Sequence, residues 1–388
     1  WTTSYGASKM RGKIINQSEI ITLIDFNNLK VFDTADIQTM VMIFKKNHAI
    51  QKYHFDYRKL KDGISDRDCI DNLLNKKNDG STYISPEIIR SKLSNSKLTF
   101  NNLESSQILN KLISISNFKL DGKIEVAQGI VCPQDAVNKS SYEKLGKKYP
   151  VGTGIFILSD KEMIEQNFTT DELKIIKPLY TTKEVNRWLL KEKNKKWIIY
   201  TDSSFKKSNK IDNYPNIKNH LDKFNKVITS DNAPYGLHRS RNESFFRGDS
   251  ILVARKCIKP EFSFSNKACY VSATFYVIKT ERINKKFLLG LLNSKLISFW
   301  LKNKGKMQGN NYQIDKEPLL ELPLYNPVDK QKTQIIKLVD SIFTTINNGE
   351  YMKEISKINS IEQELNQLVY KLYKLSEKEV EVIENQIK

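Results

Sequence analysis

A polar segment near residue 300 combines lysines with side-chain amides. From Ile283 to Gly309 the chain has six lysines and no acidic residue. Lysines suit phosphate groups, whereas glutamine and asparagine can form paired hydrogen bonds with the edge of adenine. This chemistry predicts nucleic-acid binding by a glycine-hinged loop after a helix, with contacts from Lys302, Lys304, Lys306, Gln308, Asn310, Asn311, Tyr312 and Gln313.

A second segment places arginines beside an aromatic ring. It runs from residue 234 to residue 242 and is followed by one more arginine. Arginine forks suit guanine or phosphate, and a tyrosine ring offers a flat face to a base. The predicted contacts are Tyr235, Arg239, Arg241, Asn242 and Arg247. For both segments the alternative is an ordinary solvated connection.

The charge of the whole chain favours the nucleic-acid interpretation. Its 388 residues include 63 lysines and arginines against 44 acidic residues, which gives a formal net charge of +19. A surplus of this size attracts polyanions, chiefly nucleic acid or an anionic membrane surface. Lys9 and Arg11 extend the set of predicted DNA contacts. No apolar run approaches the ~20 residues that span a bilayer, so no membrane insertion is predicted.

The sequence contains no complete catalytic motif of the familiar kinds. There is no Walker loop, dinucleotide fingerprint, H-E-x-x-H or G-x-S-x-G string. Glu172 and Lys174, with Asp160 upstream, resemble part of a nuclease cluster, but such short strings arise easily by chance in so basic a chain. We therefore expect these three residues to have no catalytic role.

Cysteines and histidines are too dispersed to predict a metal site. The four cysteines form no C-x-x-C pair, which argues against structural zinc or a disulfide framework and favours the reducing cytoplasm. His48 and His54 are predicted to be surface residues rather than ligands.

The elements that precede residue 60 have the pattern of an α/β sheet. Residues 10–19 are predicted to form a short helix, and residues 20–26 and 39–44 are continuous apolar runs typical of buried strands. Residues 51–58 could add an edge strand. Two such strands in close succession predict the antiparallel end of a mostly parallel, doubly wound sheet. Since the chain reaches a buried strand so soon after Trp1, we expect it to begin partway through this domain.

A second globular region is predicted to begin near residue 120, after a helix over residues 105–115. Its apolar runs predict short strands at residues 154–158, 196–200, 226–229, 251–255 and 269–279. Residues 284–303 are predicted to form one amphipathic helix. This alternation of strands and helices indicates an α+β domain.

The last sixty residues are predicted to form a helical arm. Apolar residues at spacings of three and four, from Ile358 to Leu375, form a seam of about three heptads. Ser376 and Glu379 form a capping-box pattern for a final helix. Because few heptads are available, packing against the chain's own domain is favoured over an intermolecular coiled coil.

Several strings resemble the gamma-type N6-adenine DNA methyltransferases of the TaqI and Eco57I class. Lys30 to Ala35 resembles the late catalytic motifs of that family. Further similarities, in the same order along the chain, concern its specificity region: Gly129-Ile130, Gly152 to Phe156, Ile176 to Tyr180, Leu288 to Phe299 and the closing Leu372 to Glu379.

The resemblance implies S-adenosylmethionine as cofactor and double-stranded DNA as partner. Adenine N6 lies inside the duplex, so an enzyme of this class flips the base out of the stack. The position matching Phe32 holds an aromatic residue that packs against the flipped adenine, and we carry that role to Phe32. A core position for this phenylalanine is the alternative.

The sequence departs from the family pattern in one important respect. It contains neither the acidic, glycine-containing cofactor motif nor the Asn-Pro-Pro-Tyr string, and both are expected before Trp1. Taken alone, the chain is therefore not expected to hold the cofactor properly or to transfer a methyl group.

These predictions together define four parts and one activity. Residues 1–60 are predicted to form the C-terminal part of the catalytic domain, and residues 61–119 a connecting region. Residues 120–330 are predicted to form the target-recognition domain, and residues 331–388 the helical arm. The intact enzyme is expected to be a monomer that methylates adenine N6 within one asymmetric site. The alternatives are a stand-alone specificity subunit, a fused restriction–modification enzyme and an RNA-binding protein. The first predicts two repeated recognition domains, and no such repeat is visible.

Overall fold

A computed structural model describes most of the chain. The described residues are 2, 5–27, 29–35, 37–61, 69–77, 81–92, 98, 100–101, 103–122, 124–206, 208–308, 311–349 and 354–387. None of the helices within these ranges is long and apolar enough to cross a membrane.

The first part of the chain forms a mixed four-stranded sheet and a two-stranded ribbon. Its elements are α1 (Ser8–Gln17), β1 (Ser18–Asp25), β2 (Met40–Lys46), β3 (Lys52–His54), β4 (Asp56–Lys59), α2 (Cys69–Leu74), β5 (Thr82–Ile84) and β6 (Glu87–Ile89). The sheet has the order β2-β1-β4-β5, and β3 pairs with β6. β1 lies antiparallel to β2 and parallel to β4. The predicted first helix and the antiparallel pair of apolar strands are confirmed. A doubly wound domain beyond them stays a prediction.

The expectation that β2 is buried on both faces is wrong. Val41, Ile43 and Phe44 are all exposed. β2 is the edge strand of the sheet, and the described residues leave these three side chains largely uncovered. β1 lies inside the sheet and buries Ile20, Leu23 and Ile24 instead.

The rest of the chain contains three further sheets and a layer of helices. Its strands are β7 (Val126–Gln128), β8 (Ile157–Ser159), β9 (Ile176–Tyr180), β10 (Trp188–Leu189), β11 (Lys196–Ile199), β12 (Ser250–Ala254), β13 (Lys256–Cys257), β14 (Phe262–Ser265), β15 (Tyr270–Val271), β16 (Phe275–Ile278), β17 (Lys306–Gln308) and β18 (Asn311–Gln313). Its helices are α3 (Leu103–Ile115), α4 (Lys139–Lys144), α5 (Asp160–Glu165), α6 (Thr170–Leu173), α7 (Ser208–Ile211), α8 (Pro215–Asp222), α9 (Lys285–Leu292), α10 (Lys295–Lys304), α11 (Lys316–Leu320), α12 (Asp329–Asn348), α13 (Ile355–Leu372) and α14 (Glu377–Gln386).

A five-stranded sheet, in the order β10-β14-β12-β16-β7, lies between two hydrophobic cores. Successive residues of a strand point to opposite faces. Ile251 and Val253 of β12 accordingly pack with the helices, whereas Leu252, between them, packs in the second core. That core also contains residues of the second sheet, in the order β15-β9-β11-β8. β12 is fully apolar at its centre because both of its faces are covered.

Two predicted elements of this region are wrong. Residues 284–303 form two helices, α9 and α10, because the side chain of Ser294 accepts the Ile297 N–H and so begins a new helix. Residues 226–229 form a turn rather than a strand, although Val227 and Ile228 are buried as the apolar pattern indicated. The apolar pattern thus predicted that this segment is buried, but it did not predict its backbone conformation.

The C-terminal helices pack on the five-stranded sheet, as predicted for the arm. Ile358, Leu365 and Val369 of α13 lie in the same core as the sheet. α9 approaches the arm so closely that a β-carbon at Gly290 would lie 2.7 Å from Ile335 Cγ2. The capping box of Ser376 and Glu379 is confirmed at the start of α14.

A polar cluster fixes α13 to the strand side of this core. The Arg187 guanidinium donates to both carboxylate oxygens of Glu362, at 2.7 and 3.2 Å. It also donates to the Asn293 backbone oxygen at 2.6 Å, and the indole N–H of buried Trp188 donates to the same Glu362 carboxylate. Because the Arg187 and Glu362 side chains are only 18% and 19% exposed, each charge depends on the other.

Replacing Glu362 with alanine is therefore expected to destabilise the protein strongly. The change leaves the Arg187 charge and the Trp188 N–H without their acceptor in a largely dry site, which costs about 2–4 kcal/mol of unfolding free energy. Urea unfolding of both proteins measures this difference. Glu165→Ala is the control, because its ion pair with Lys161 is exposed and contributes less than about 1 kcal/mol. Equal losses for the two variants would contradict a bracing role for Glu362.

Candidate nucleic-acid interface

Four backbone segments meet where the five-stranded sheet adjoins the second sheet. We call the surface that they form the junction surface, and it comprises residues 128–132, 239–241, 254–256 and 272–274. Val131 and Arg239 exchange two backbone hydrogen bonds of 3.0 Å, and the Ala273 N–H donates to the Ile130 carbonyl at 2.7 Å. Gly129 is required here, since a β-carbon on it would lie 2.1 Å from the Ser272 carbonyl oxygen. The junction surface is therefore held by main-chain bonds.

Two arginines on this surface have no acidic partner among the described residues. The Arg241 guanidinium donates to the Gly129 carbonyl at 3.2 Å and to Gln128 Oε1 at 2.9 Å, and both acceptors are neutral. Arg239 is exposed. Burial and, next, the charge of Arg239 lower the pKa of Arg241. A pair of neighbouring cations without a carboxylate favours the binding of an anion.

A third arginine of the junction surface is held differently. Arg255 Nε donates to Asp315 Oδ1 at 2.6 Å, and the Gln313 amide donates to Asp315 Oδ2 at 2.9 Å. Lys306 lies 3.9 Å from the same carboxylate. Asp315 thus binds β18, the β17–β18 hairpin and the end of β12 to one another through charge-assisted contacts.

Beside these residues lies an open cavity of about 550 Å³. Its polar lining consists of Asp135, Thr182, Arg255, Lys256, Ser272 and Thr274, and its apolar lining includes Ile130, Val131 and Ala273. The hydroxyls of Ser272 and Thr274 are hydrogen-bonded to each other at 2.7 Å. Burial raises the pKa of the Asp135 carboxyl, to which the Cys132 thiol donates. A cavity with both donors and acceptors suits the polar edge of a flat heterocycle.

Residues 306–308 and 311–313 form paired strands, where a glycine-hinged loop was predicted. β17 pairs with β18, and β18 also pairs with β13. Tyr312 and Gln313 are buried by this pairing, which places them in the sheet and away from solvent. Asn311 is exposed. The side chains of Tyr312 and Gln313 are thus unavailable for the contacts predicted for them, because strand pairing turned them inward.

The remaining predicted contacts of this segment have varied surroundings. The Lys302 ammonium donates to the Gln386 carbonyl at 2.9 Å, and burial lowers the pKa of Lys304. Lys306 faces Asp315. Gln308 lies in β17, and the predicted contact of Asn310 falls outside the described residues.

In the segment of residues 235–247 some predicted contacts are bound within the protein, and others are available at its surface. Tyr235 is buried, and its hydroxyl donates to Asp222 at 2.7 Å. Asn242 caps a short 3-10 helix by accepting the Ser244 N–H. Arg247 forms a 2.7 Å ion pair with Glu243. Of the three arginines predicted here, Arg239 and Arg241 have no acidic partner within the described ranges, and Arg241 is held by neutral acceptors alone.

The site residues predicted near the start of the chain also differ in how exposed their side chains are. Lys9 is exposed, but Arg11 is only 3% exposed, so its side chain is not presented to a ligand. Phe32 is 52% exposed, in a bend between β1 and β2. The alternative of a core position for Phe32 is therefore wrong. A role in stacking on adenine stays a prediction.

The carboxylates considered as a chance match to a nuclease have structural roles. Glu172 is fully buried and accepts the Asn216 N–H at 2.6 Å and the Thr169 N–H at 2.8 Å, so it caps two helices. Asp160 accepts the Trp197 indole N–H at 2.7 Å. Sequence reasoning missed Arg255, Lys256 and the Ser272–Thr274 hydroxyls. No spacing rule could have found them, because strand pairing alone brings them together.

Part of the chain that carries this surface is similar to a described protein family. Residues 177–324 match the family described as the TaqI-like C-terminal specificity domain. Residues 177–324 are thus similar to a specificity domain of this kind, and Arg239, Arg241 and Arg255 all lie among them. Over these residues the match confirms the resemblance to the TaqI-like specificity region.

Two solved structures are similar to this chain at low sequence identity. One is the type IIL restriction-modification enzyme MmeI in complex with DNA, which is 13% identical, with a TM-score of 0.60 over 97% of this chain and 48% of that one. Another is the type IIG restriction endonuclease BpuSI, 11% identical, with a TM-score of 0.36 over 96% of this chain and 46% of that one. The chain thus spans about half the length of each. The similarity to MmeI shows a common fold.

The anchor of β7 makes the stability of this region depend on pH. Glu125, just before β7, accepts hydrogen bonds from Arg282, Thr280 and the Gly122 N–H. The Arg282 guanidinium and then the Thr280 and Gly122 donors outweigh burial and lower the pKa of Glu125 from 4.5 to about 2. A carboxyl with a lowered folded-state pKa contributes stability above its unfolded value, and the contribution is lost as the pH falls through the folded value.

We expect the unfolding free energy to fall between about pH 5 and about pH 2, and to fall less in Glu125→Gln. The amide keeps the shape of the side chain but does not titrate. Urea unfolding at a series of pH values measures both curves, which should converge at the acidic end. Parallel curves over this range would show that Glu125 is not the group responsible.

Proposed function

We propose that this chain is the DNA-recognition part of a restriction-modification enzyme and that double-stranded DNA lies against the junction surface. The observation that carries the proposal is the unneutralised pair Arg239 and Arg241 inside the matched specificity domain. The fold shared with MmeI, whose structure contains DNA, supports it. The net charge of +19 supplies the long-range attraction that phosphate binding needs.

On this proposal Arg239 and Arg241 bind phosphates and orient the duplex. Phosphate contacts fix the register of a protein on DNA and carry no sequence information by themselves. Lys256 and Asn311, both exposed on neighbouring strands, extend the same face. Tyr235, Tyr312 and Arg11 are left out of the interface, because their side chains are buried.

Arg239→Ala is expected to weaken duplex binding about equally for all sequences and to reduce the slope of log K against log salt by about 1. Fluorescence anisotropy across a salt series measures both quantities. Lys378→Ala is the matched control, because it also removes one exposed positive charge but lies on α14, in the acidic arm. Duplex DNA and RNA of the same length compete in the same assay. Preference for RNA, or equal slopes for the two variants, would contradict the proposal.

The finer proposal is that the whole enzyme is a monomer that transfers a methyl group to adenine N6 within one asymmetric site. S-adenosylmethionine, when bound, would supply the methyl group. The residues of this chain do not fit a complete cofactor site. The sequence has no Asn-Pro-Pro-Tyr string. Among the described residues, Asp56 is the one carboxylate that lines the cavity beside Ile21 of β1, and it is already bound by Arg58 at 2.7 Å and Lys76 at 3.0 Å. We therefore derive no step of methyl transfer here.

A role in holding a flipped adenine is proposed for Phe32. Phe32 is 52% exposed in the bend between β1 and β2, so its ring is accessible to a ligand. A fused restriction–modification enzyme, with cleavage encoded elsewhere, fits the same observations and the similarity to MmeI. A stand-alone specificity subunit remains the other alternative.

Phe32→Ala in the whole enzyme is expected to lower methyl incorporation into duplex DNA about 10- to 100-fold, since a stacked base is worth about 1–3 kcal/mol. Transfer of a labelled methyl group measures the rate. Phe32→Tyr keeps the flat ring and should retain most of the activity. Undiminished transfer by Phe32→Ala would remove Phe32 from the site while leaving the proposed DNA surface untouched.

A further inference from the structure

The backbone of Arg255 is fixed from two directions at the edge of the cavity. Its N–H donates to the Thr274 carbonyl at 2.7 Å, and its carbonyl accepts the Ile314 N–H at 2.8 Å. The residue stands between β12 and β13, where the chain leaves the five-stranded sheet to pair with β18. Its Cα position is therefore set by strands of two sheets.

The Arg255 side chain is also fixed, and its outer end is free. Nε is bound to Asp315 at 2.6 Å, and Asp315 is itself held by the Gln313 amide. Within the described part of the chain the two terminal guanidinium nitrogens have no hydrogen-bond partner, and the side chain is 40% exposed. Two parallel N–H donors are thus presented in a fixed direction beside the cavity.

Charge distinguishes Arg255 from its neighbours. Arg239 and Arg241 have no carboxylate beside them among the described residues, so their full charge is available for phosphates. The charge of Arg255 is partly neutralised by Asp315, which weakens attraction to a phosphate but fixes the direction of the fork. Fixed direction matters most for bidentate hydrogen bonds to a base edge. Guanine presents two acceptors, O6 and N7, at the spacing of such a fork.

We infer that Arg255 is a specificity-determining residue that donates two hydrogen bonds to guanine O6 and N7 in the major groove, with Asp315 as its positioning residue. The inference rests on the proposed function, because it requires a duplex on the junction surface. In this arrangement the cavity beside Arg255 admits the base edge, and the Ser272 and Thr274 hydroxyls lie next to it.

The test begins with selection of duplexes from a randomised library by the 388-residue chain and by Arg255→Lys. Lysine keeps the charge but lacks the planar fork. We expect the wild type to prefer guanine at one position about tenfold or more, and Arg255→Lys to lose that preference with an unchanged salt slope. Arg239→Lys is the matched control and should keep every base preference, because phosphate contacts carry no sequence information. Asp315→Asn should weaken the base preference at the same position and leave the preferences at the other positions unchanged.

A second measurement changes the DNA, and its first part needs the wild type alone. Guanines of the selected duplex are replaced one at a time by 7-deazaguanine, which lacks the N7 acceptor, and wild-type affinity is measured. At one position the replacement should lower the affinity of the wild type about tenfold. It should lower the affinity of Arg255→Lys only slightly, because that variant already lacks the hydrogen bond to N7. If the wild-type chain selects no duplex sequence, the proposed function fails and this inference with it. If the wild type selects a sequence and Arg255→Lys keeps the same guanine preference, only this inference is overturned.

Discussion

The five-stranded sheet is covered by apolar side chains on both faces, and each segment of the junction surface is anchored to it. β12 and β16 alternate their side chains between the two cores, so neither strand can slip by one residue without exchanging its two sets of contacts. β7 and the segment that follows it are held against β16 and Ser272. Double-sided burial thus fixes the positions from which Arg241 and Arg255 extend.

The cationic side chains of this very basic chain differ in the partners that they bind. Arg187 and Arg282 are bound to Glu362 and Glu125 in contacts that hold the fold together. Arg247 is paired with Glu243 on the surface. On the junction surface, by contrast, Arg241 is bound only to neutral acceptors, and neighbouring Arg239 has no acidic partner among the described residues. The net charge attracts a polyanion from a distance, whereas these local differences in pairing decide where it would lie.

The similarity to MmeI extends over nearly the whole chain at 13% identity. A shared fold at such low identity is expected when the constraint is the alternation of buried and exposed positions, because many apolar side chains satisfy the same pattern. Base-contacting residues follow no such pattern and differ freely between specificities. The contacts within this chain therefore indicate which residues would face DNA, and the shared fold supplies only their positions.

Local sequence determined the helices α1, α3, α13 and α14, the buried strand β1, the capping box of Ser376 and the arginines of residues 239–241, because these depend on periodicity, caps and residue chemistry. Tertiary structure decided the rest. Tyr312 and Gln313 have the chemistry of base contacts, but pairing of β18 with β13 and β17 buries them. Arg255 gave no local signal, since its carboxylate partner lies sixty residues later in the chain and meets it only across two sheets. Hydrogen bonds between distant strands depend on register, and register is settled by the packing of the whole core.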